Sequence, residues 1–203
     1  MRRFTFALLA CVALSAQDRM PPIPADKQTE AQKKAAVDYK AMRKQDLAGP
    51  PWSVLQRVPD LVMPSLELRM HNLNNSALSA KLTEMAILLA ARSWTNNYEW
   101  NAHAPLAERA GLSKDIIAAI ADGRRPARMA EDEEIVHDLC TELLDHKSIS
   151  DATYARGVAK FGEAGVIEAA GLEGYYIFLS AVMNTARSPM PAGAKPQLGA
   201  FPK

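Results

Sequence analysis

Residues 82–112 read LTEMAILLAARSWTNNYEWNAHAPLAERAGL, and this stretch decides the fold. Its first half is an apolar run of helical length that contains one acid, Glu84. Residues 94–95 interrupt the run, and a second helix follows in which Glu99 and His103 stand four residues apart and share one face. Because helices joined by so short a turn pack antiparallel, the sequence predicts that Glu84 reaches Glu99 and His103.

The three side chains predict a small polar cluster between two packed helices. A carboxylate in an apolar run needs a partner, and a desolvated or His-paired carboxylate is a candidate proton carrier. Asn96 lies on the same stripe of the second helix, and Trp100 stands beside it as an aromatic wall. A structural Glu-His pair that holds the two helices together is the alternative interpretation of the same spacing.

Several sequence features together resemble a known family. The pattern Y-E-W-x-x-H at 98–103 follows an acid in an apolar helix and precedes Ala-Gly-Leu-Ser at 110–113, as in the carboxymuconolactone decarboxylase family, which shares its fold with the AhpD-type alkylhydroperoxidases. The similarity resumes at 161–184, so it covers roughly 60–187. The resemblance implies an all-α helical bundle, a small-molecule substrate, no cofactor, and a homo-oligomer, either a trimer or a hexamer.

The resemblance also implies a chemistry. The decarboxylase relatives act on a small carboxylated lactone, so Glu99 is expected to orient His103, His103 to deliver a proton to carbon, and Glu84 to polarise or relay. Thr83 stands where relatives commonly have arginine, which leaves the substrate open. Relatives with peroxidase activity have a redox cysteine pair at the positions of Asn96 and Glu99, so a thiol-dependent antioxidant function is the weaker alternative.

A non-catalytic helical oligomer remains a further alternative. No metal site is expected, because Glu99 and His103 supply only two ligands. The sequence shows no period-2 strand pattern of useful length, which favours the all-α class. The last long helix, predicted over residues 163–187, offers Tyr176 and Asn184 as residues that line the pocket, and its glycines at 165, 171 and 174 predict close helix contacts.

Both ends of the chain lie outside the resemblance. Met1–Ala16 has two arginines before an apolar segment and predicts a signal peptide cleaved after Ala16, hence a periplasmic or secreted protein; lipidation at Cys11 is the alternative. Residues 17–59 predict an extension with one helix, and the proline-bearing tail 188–203 is expected to be mobile or to drape over another subunit. Cys140, in a helical apolar pattern, is expected to be buried and structural.

Length and composition limit which other classes of protein fit this sequence. With 203 residues, of which 48% are apolar, the chain can bury one sizeable core. Its formal net charge of +1 gives no sign of nucleic-acid binding or of an anionic membrane surface. No membrane span is expected. Three arginines at 124, 125 and 128 could recognise a carboxylate, although arginines in a loop are more often solvated.

Overall fold

The computed structural model describes residues 18–199, which are helical and contain no strand. A 3-10 turn at Ala25–Lys27 precedes eight α-helices, and the predicted all-α class is confirmed. The helices are α1 (Glu30–Arg43), α2 (Trp52–Leu55), α3 (Pro59–Asn74), α4 (Ala80–Ser93), α5 (Asn97–Arg109), α6 (Lys114–Ala121), α7 (Glu131–His146) and α8 (Asp151–Ala186). The predicted signal peptide lies outside the described residues, so export stays a prediction that sequencing the mature N-terminus would test.

Helix α4 is the centre of the core. All residues from Leu82 to Arg92 are buried, because α5, α7 and α8 pack against it on different sides. A helix surrounded in this way is apolar all round instead of on one stripe, which explains the continuous run AILLAA. Each fully buried leucine or isoleucine there contributes roughly 1.5–3 kcal/mol of transfer free energy. Helix α4 therefore holds Glu84 within a rigid, water-poor frame.

Local capping signals set several helix ends as predicted. Ser113 and Ser150 accept hydrogen bonds from the backbone N–H groups of Ile116 at 3.2 Å and Thr153 at 3.3 Å, and so begin α6 and α8. Gly162 interrupts α8 with a positive φ of 71°, which glycine adopts without steric cost. Among the described residues, α8 is also the one helix long and apolar enough to cross a membrane, and half of its most apolar window is buried in the protein.

The extension preceding the family-like region packs on the rest of the chain. Helix α1 lies against α3, and its Tyr39 ring contacts the ring of Trp52 on α2 at 5.1 Å between centroids. The predicted start of α3 at Pro64 is wrong, because the helix begins at Pro59 and Pro64 lies inside it. Either proline suits a first helical turn, and the sequence pattern does not distinguish them.

The tail is ordered against its own chain over the described residues, which corrects the expectation of a mobile tail. The backbone N–H groups of Gln197 and Leu198 both donate to Asn97 Oδ1 at 2.8 Å, and Leu198 is buried. Arg92 donates to the carbonyl of Gly199 at 2.8 Å. These bonds tie the tail to the turn between α4 and α5, next to the candidate site.

Candidate functional site

A tight turn brings α4 and α5 together in antiparallel orientation. Thr95 adopts a positive φ of 47°, and the N–H of Asn96 donates to the carbonyl of Ala91 at 2.8 Å. Asn96 is the N-cap of α5, where its side-chain oxygen accepts from the backbone N–H of Glu99 at 3.0 Å. The cap fixes the start of α5 and thereby the positions of Glu99 and His103 opposite Glu84.

The predicted cluster forms. His103 Nδ1 lies 2.7 Å from Glu84 Oε2, and His103 Nε2 lies 3.4 Å from Glu99 Oε2. Both ring nitrogens therefore face carboxylate oxygens. The shorter contact is to Glu84 on the neighbouring helix, so Glu84 is the side chain that orients the ring, whereas the sequence assigned this role to Glu99. The exposed fractions are only 8% for Glu84, 4% for Glu99 and 5% for His103.

The cluster changes the proton affinity of His103. Burial alone lowers the pKa of His103, but the hydrogen bonds and charges of Glu84 and Glu99 outweigh burial and raise the pKa to about 9. His103 is therefore an imidazolium at neutral pH, and the three side chains together carry one net negative charge. An imidazolium with two carboxylate neighbours can donate a proton and recover it, which is the behaviour of a general acid.

Of the two aromatic residues predicted to lie at the cluster, Tyr176 contacts it and Trp100 does not. Tyr176 meets His103 edge-on, with ring centroids 5.0 Å apart, and is 1% exposed. Trp100 is also buried, but it lines a pocket between α5 and α6 instead of the cluster, because one residue along a helix is a rotation of about 100° from Glu99. Trp100 therefore does not take the substrate-facing position that was predicted.

Asn184 also lies elsewhere. Its side chain is exposed, and its amide donates to the carbonyl of Trp94 at 3.0 Å, at the end of α4. The bond caps a helix terminus that would otherwise leave a carbonyl unpaired. Asn184 is therefore a structural residue at the α4–α5 turn and not part of the cluster.

The structure adds residues that sequence reasoning missed. Tyr175 on α8 is 4% exposed, and its ring contacts Tyr176 at 5.3 Å. Burial raises the pKa of Tyr175, the charges of Arg69 and Arg43 oppose the increase, and the charge of Glu99 adds to it. These residues thus share one electrostatic environment with the cluster. Their positions in α1, α3 and α8 share no sequence pattern, so only the assembled fold brings them together.

Cys140 is fully buried on α7, as the sequence predicted. Burial, with the nearby charge of Glu173, raises the pKa of the thiol well above its usual value. A thiol with a raised pKa is a poor nucleophile at neutral pH. Among residues 18–199, no group of three His, Cys, Asp or Glu side chains is arranged to hold a metal ion.

A groove between α3 and α8 approaches the cluster from one side. Its volume is about 410 Å³, and Ser65, Leu68, Gly171, Gly174, Tyr175 and Phe178 line it. The two glycines open the groove, since a Cβ at either position would meet no atom within 4 Å. Tyr175 lies between the groove and Tyr176, the ring that contacts His103, so the groove ends one aromatic side chain short of the cluster.

Comparison with known families agrees with the arrangement of helices and cluster. The family model described as the carboxymuconolactone decarboxylase family matches residues 59–133. Over this segment, which is less than half of the chain, the protein is similar to the carboxymuconolactone decarboxylase family. The matched segment begins at the first residue of α3 and contains Glu84, Glu99 and His103, while α1, α2, most of α7 and α8 lie outside it. A search of curated proteins found no match to this chain.

Proposed function

We propose that this protein, which resembles the carboxymuconolactone decarboxylase family over residues 59–133, is a proton-transfer enzyme, a decarboxylase-like lyase that acts on a small carboxylated lactone or carbonyl compound. The observation that carries the proposal is the placement of both His103 ring nitrogens against carboxylates within a nearly closed site. Such an arrangement is costly to bury unless every charge is paired, and it provides a positioned acid within the segment that matches the family model.

The geometry supports distinct roles for the two nitrogens. Nδ1 is held at 2.7 Å by Glu84, which fixes the ring, whereas the 3.4 Å contact with Glu99 leaves Nε2–H the more easily transferred proton. When the bond between the substrate carbon and its carboxylate breaks, carbon dioxide leaves and the electron pair moves into the conjugated lactone or carbonyl. The Nε2 proton then passes to carbon, leaving a neutral imidazole that takes a new proton from water. Glu99 stabilises the imidazolium between turnovers.

Two other functions fit less well. A thiol peroxidase needs a reactive cysteine, and Asn96 and Glu99 occupy the positions of the cysteine pair while Cys140 is buried with a raised pKa. A structural Glu-His pair is favoured by the low exposure of the three side chains. Unlike a sealed pair, however, this cluster adjoins phenol groups that have no hydrogen-bond partner within the described chain.

Substitutions of the three cluster residues distinguish a catalytic role from a structural one. His103→Asn, Glu99→Gln and Glu84→Gln should each lower turnover of a carboxylated γ-lactone or a β-keto acid by roughly 10²-fold or more, the usual effect of losing a positioned acid or base. Cys140→Ser should leave turnover nearly unchanged. Circular dichroism and light scattering check that each variant keeps its fold and assembly.

Unchanged turnover in the three cluster variants would contradict the catalytic assignment. Loss of the fold in all three would support the structural pair instead. A hydroperoxide activity that Cys140→Ser abolishes would establish the thiol alternative.

A further inference from the structure

The surroundings of the cluster contain buried hydrogen-bond donors that lack acceptors. The hydroxyl groups of Tyr175 and Tyr176 have no partner within the described chain, and both residues are less than 5% exposed. Arg43 Nε and Asn72 Nδ2 are likewise buried and unpartnered. Leaving a buried polar group without a hydrogen-bond partner is unfavourable, so these unpartnered donors require an explanation.

The hydrogen-bonding type of these four groups indicates the chemistry of the partner that they lack. A guanidinium Nε–H and an amide NH₂ can only donate, and a phenol hydroxyl can donate as well as accept. The missing partner is therefore rich in acceptor oxygens. Two carboxylates already lie in the cluster, but both face His103, so they do not meet this demand.

Two cations on different helices have no carboxylate partner. Within residues 18–199, neither Arg43 on α1 nor Arg69 on α3 forms an ion pair, although both guanidinium groups act electrostatically on Tyr175. Arg69 also acts on Tyr176, the ring that contacts His103. Asn72 lies three residues after Arg69, hence on the same face of α3.

The arginines predicted as carboxylate binders behave differently. Arg124 pairs with Asp122 at 2.7 Å, and Arg125 pairs with Asp138. Their charge is therefore already neutralised by neighbours on the same loop and on α7. Arg43 and Arg69 are the better placed cations, because both act electrostatically on Tyr175, whose ring contacts Tyr176 next to His103.

The net charge of the cluster indicates what two unpaired cations near it could do. The cluster of Glu84, Glu99 and protonated His103 has a net charge of −1, so it would repel an approaching carboxylate in a site that excludes water. Two arginines change the sign of the local charge. A guanidinium also matches a carboxylate geometrically, because its N–H groups can bind both oxygens at once.

We infer that Arg43 and Arg69, with the hydroxyl groups of Tyr175 and Tyr176, form the subsite that binds the carboxylate of the substrate. The inference rests on the proposed function for placing a substrate beside His103. It assigns part of substrate specificity to α1, a helix outside the segment that matches the family. It also explains how a chain with Thr83 in place of the usual arginine keeps a carboxylated substrate.

Binding measured without turnover tests the inference separately from catalysis. The probes are 5-oxotetrahydrofuran-2-carboxylate, a γ-lactone acid, and its uncharged methyl ester, titrated calorimetrically into the full mature chain. The acid should bind at least about tenfold more tightly than the ester, the effect expected of one charge-assisted hydrogen-bonded pair. Arg43→Gln and Arg69→Gln should each lower the affinity for the acid by about tenfold or more and leave the affinity for the ester unchanged.

Arg128→Gln is the matched control, because it removes one exposed arginine from the loop after α6 and should change neither affinity. Equal affinities for acid and ester, no binding of either, or full acid affinity in both arginine variants would overturn the inference. Dissociation of an oligomer in those variants would also overturn it, since the guanidinium groups would then pair with a second copy. If the acid binds as expected but no lactone or keto acid is turned over, the subsite stands and the proposed function fails.

Discussion

Glu173 is a buried acid that the sequence analysis did not single out. It lies on α8 with 1% exposure, and neither carboxylate oxygen has a hydrogen-bond partner within the described chain. Burial raises the pKa of Glu173 to about 8; the charge of Lys147 lowers this pKa and the charge of Asp145 raises it, each by less than burial does. Glu173 is therefore protonated at neutral pH, and it is a carboxylic acid held beside the buried thiol of Cys140.

The pKa of Glu173 predicts how stability depends on pH. A group whose pKa is raised on folding stabilises fully below its unfolded pKa of 4.5, and that contribution is lost as the pH rises through about 8. Glu173→Gln should remove this dependence. The difference in free energy of unfolding between variant and wild type should grow in favour of the variant from pH 5 to pH 8, by up to about 1.4 kcal/mol per pH unit.

Urea unfolding monitored by circular dichroism at several pH values measures this difference. Glu163→Gln on the same helix is the control, because Glu163 is exposed and the change should leave the pH dependence as in the wild type. A constant difference across pH 5–8 for Glu173→Gln would mean that Glu173 is ionised or solvated in the folded protein.

At the residue scale, local context explains what the sequence could predict. Glu84 was recognisable because it is the one acid in LTEMAILLAA, a run with no other reason for a charge. Glu173 stands in AAGLEGYYIF, a comparable context, so the same argument would have found it. Arg43 and Arg69 carried no such signal, because arginine is common on exposed helix faces and only the packing of α1 and α3 shows where these two side chains lie.

At the scale of elements, helix ends set by capping were predictable and ends set by packing were not. Ser113 and Ser150 mark their helices through hydrogen bonds within four residues, which a sequence displays directly. Either of two prolines five residues apart, Pro59 or Pro64, could begin α3. Packing favours Pro59, because the earlier start places Val62 in the helix, where it is fully buried together with Leu66.

The helix that carries His103 also continues through a proline. Pro105 lies inside α5, which extends from Asn97 to Arg109. Ala104 and Ala107 are buried on either side of this proline, so packing holds the helix while Pro105 itself is exposed. The groove between α3 and α8 comes within one aromatic side chain, Tyr175, of the ring that contacts His103.

At the scale of the whole molecule, one face remains apolar and uncovered. Ile167 is 70% exposed and Leu68 is 44% exposed, on the outer faces of α8 and α3. Of the glycines expected to permit close helix contacts, Gly165 alone is crowded in this chain, whereas Gly171 and Gly174 are open. Ile167, the most exposed of the large apolar side chains named for the described residues, is therefore a candidate contact for another copy of the chain.

We propose that the outer face of α8 at Ile167, outside the groove, joins copies of the chain in the trimer or hexamer that family resemblance implies. Light scattering at micromolar concentration should show an oligomer, and Ile167→Lys should shift it toward monomer because a charge would be buried at the contact. Val37→Lys is the matched control, since Val37 is 67% exposed on α1, a different helix. A monomeric wild type, or an assembly that Ile167→Lys leaves intact, would contradict this placement.

The central claim is that His103 is an imidazolium held by Glu84 and Glu99, and an NMR titration of the histidine ring tests it most directly. The His103 signals, assigned by their loss in His103→Asn, should titrate with a pKa of about 9, and Glu84→Gln should move that pKa toward the ordinary value of 6.5. His137 provides an internal comparison, because burial together with the charge of Arg125 lowers its pKa. A neutral His103 ring at pH 7, with a pKa at or below 6.5, would contradict the claim.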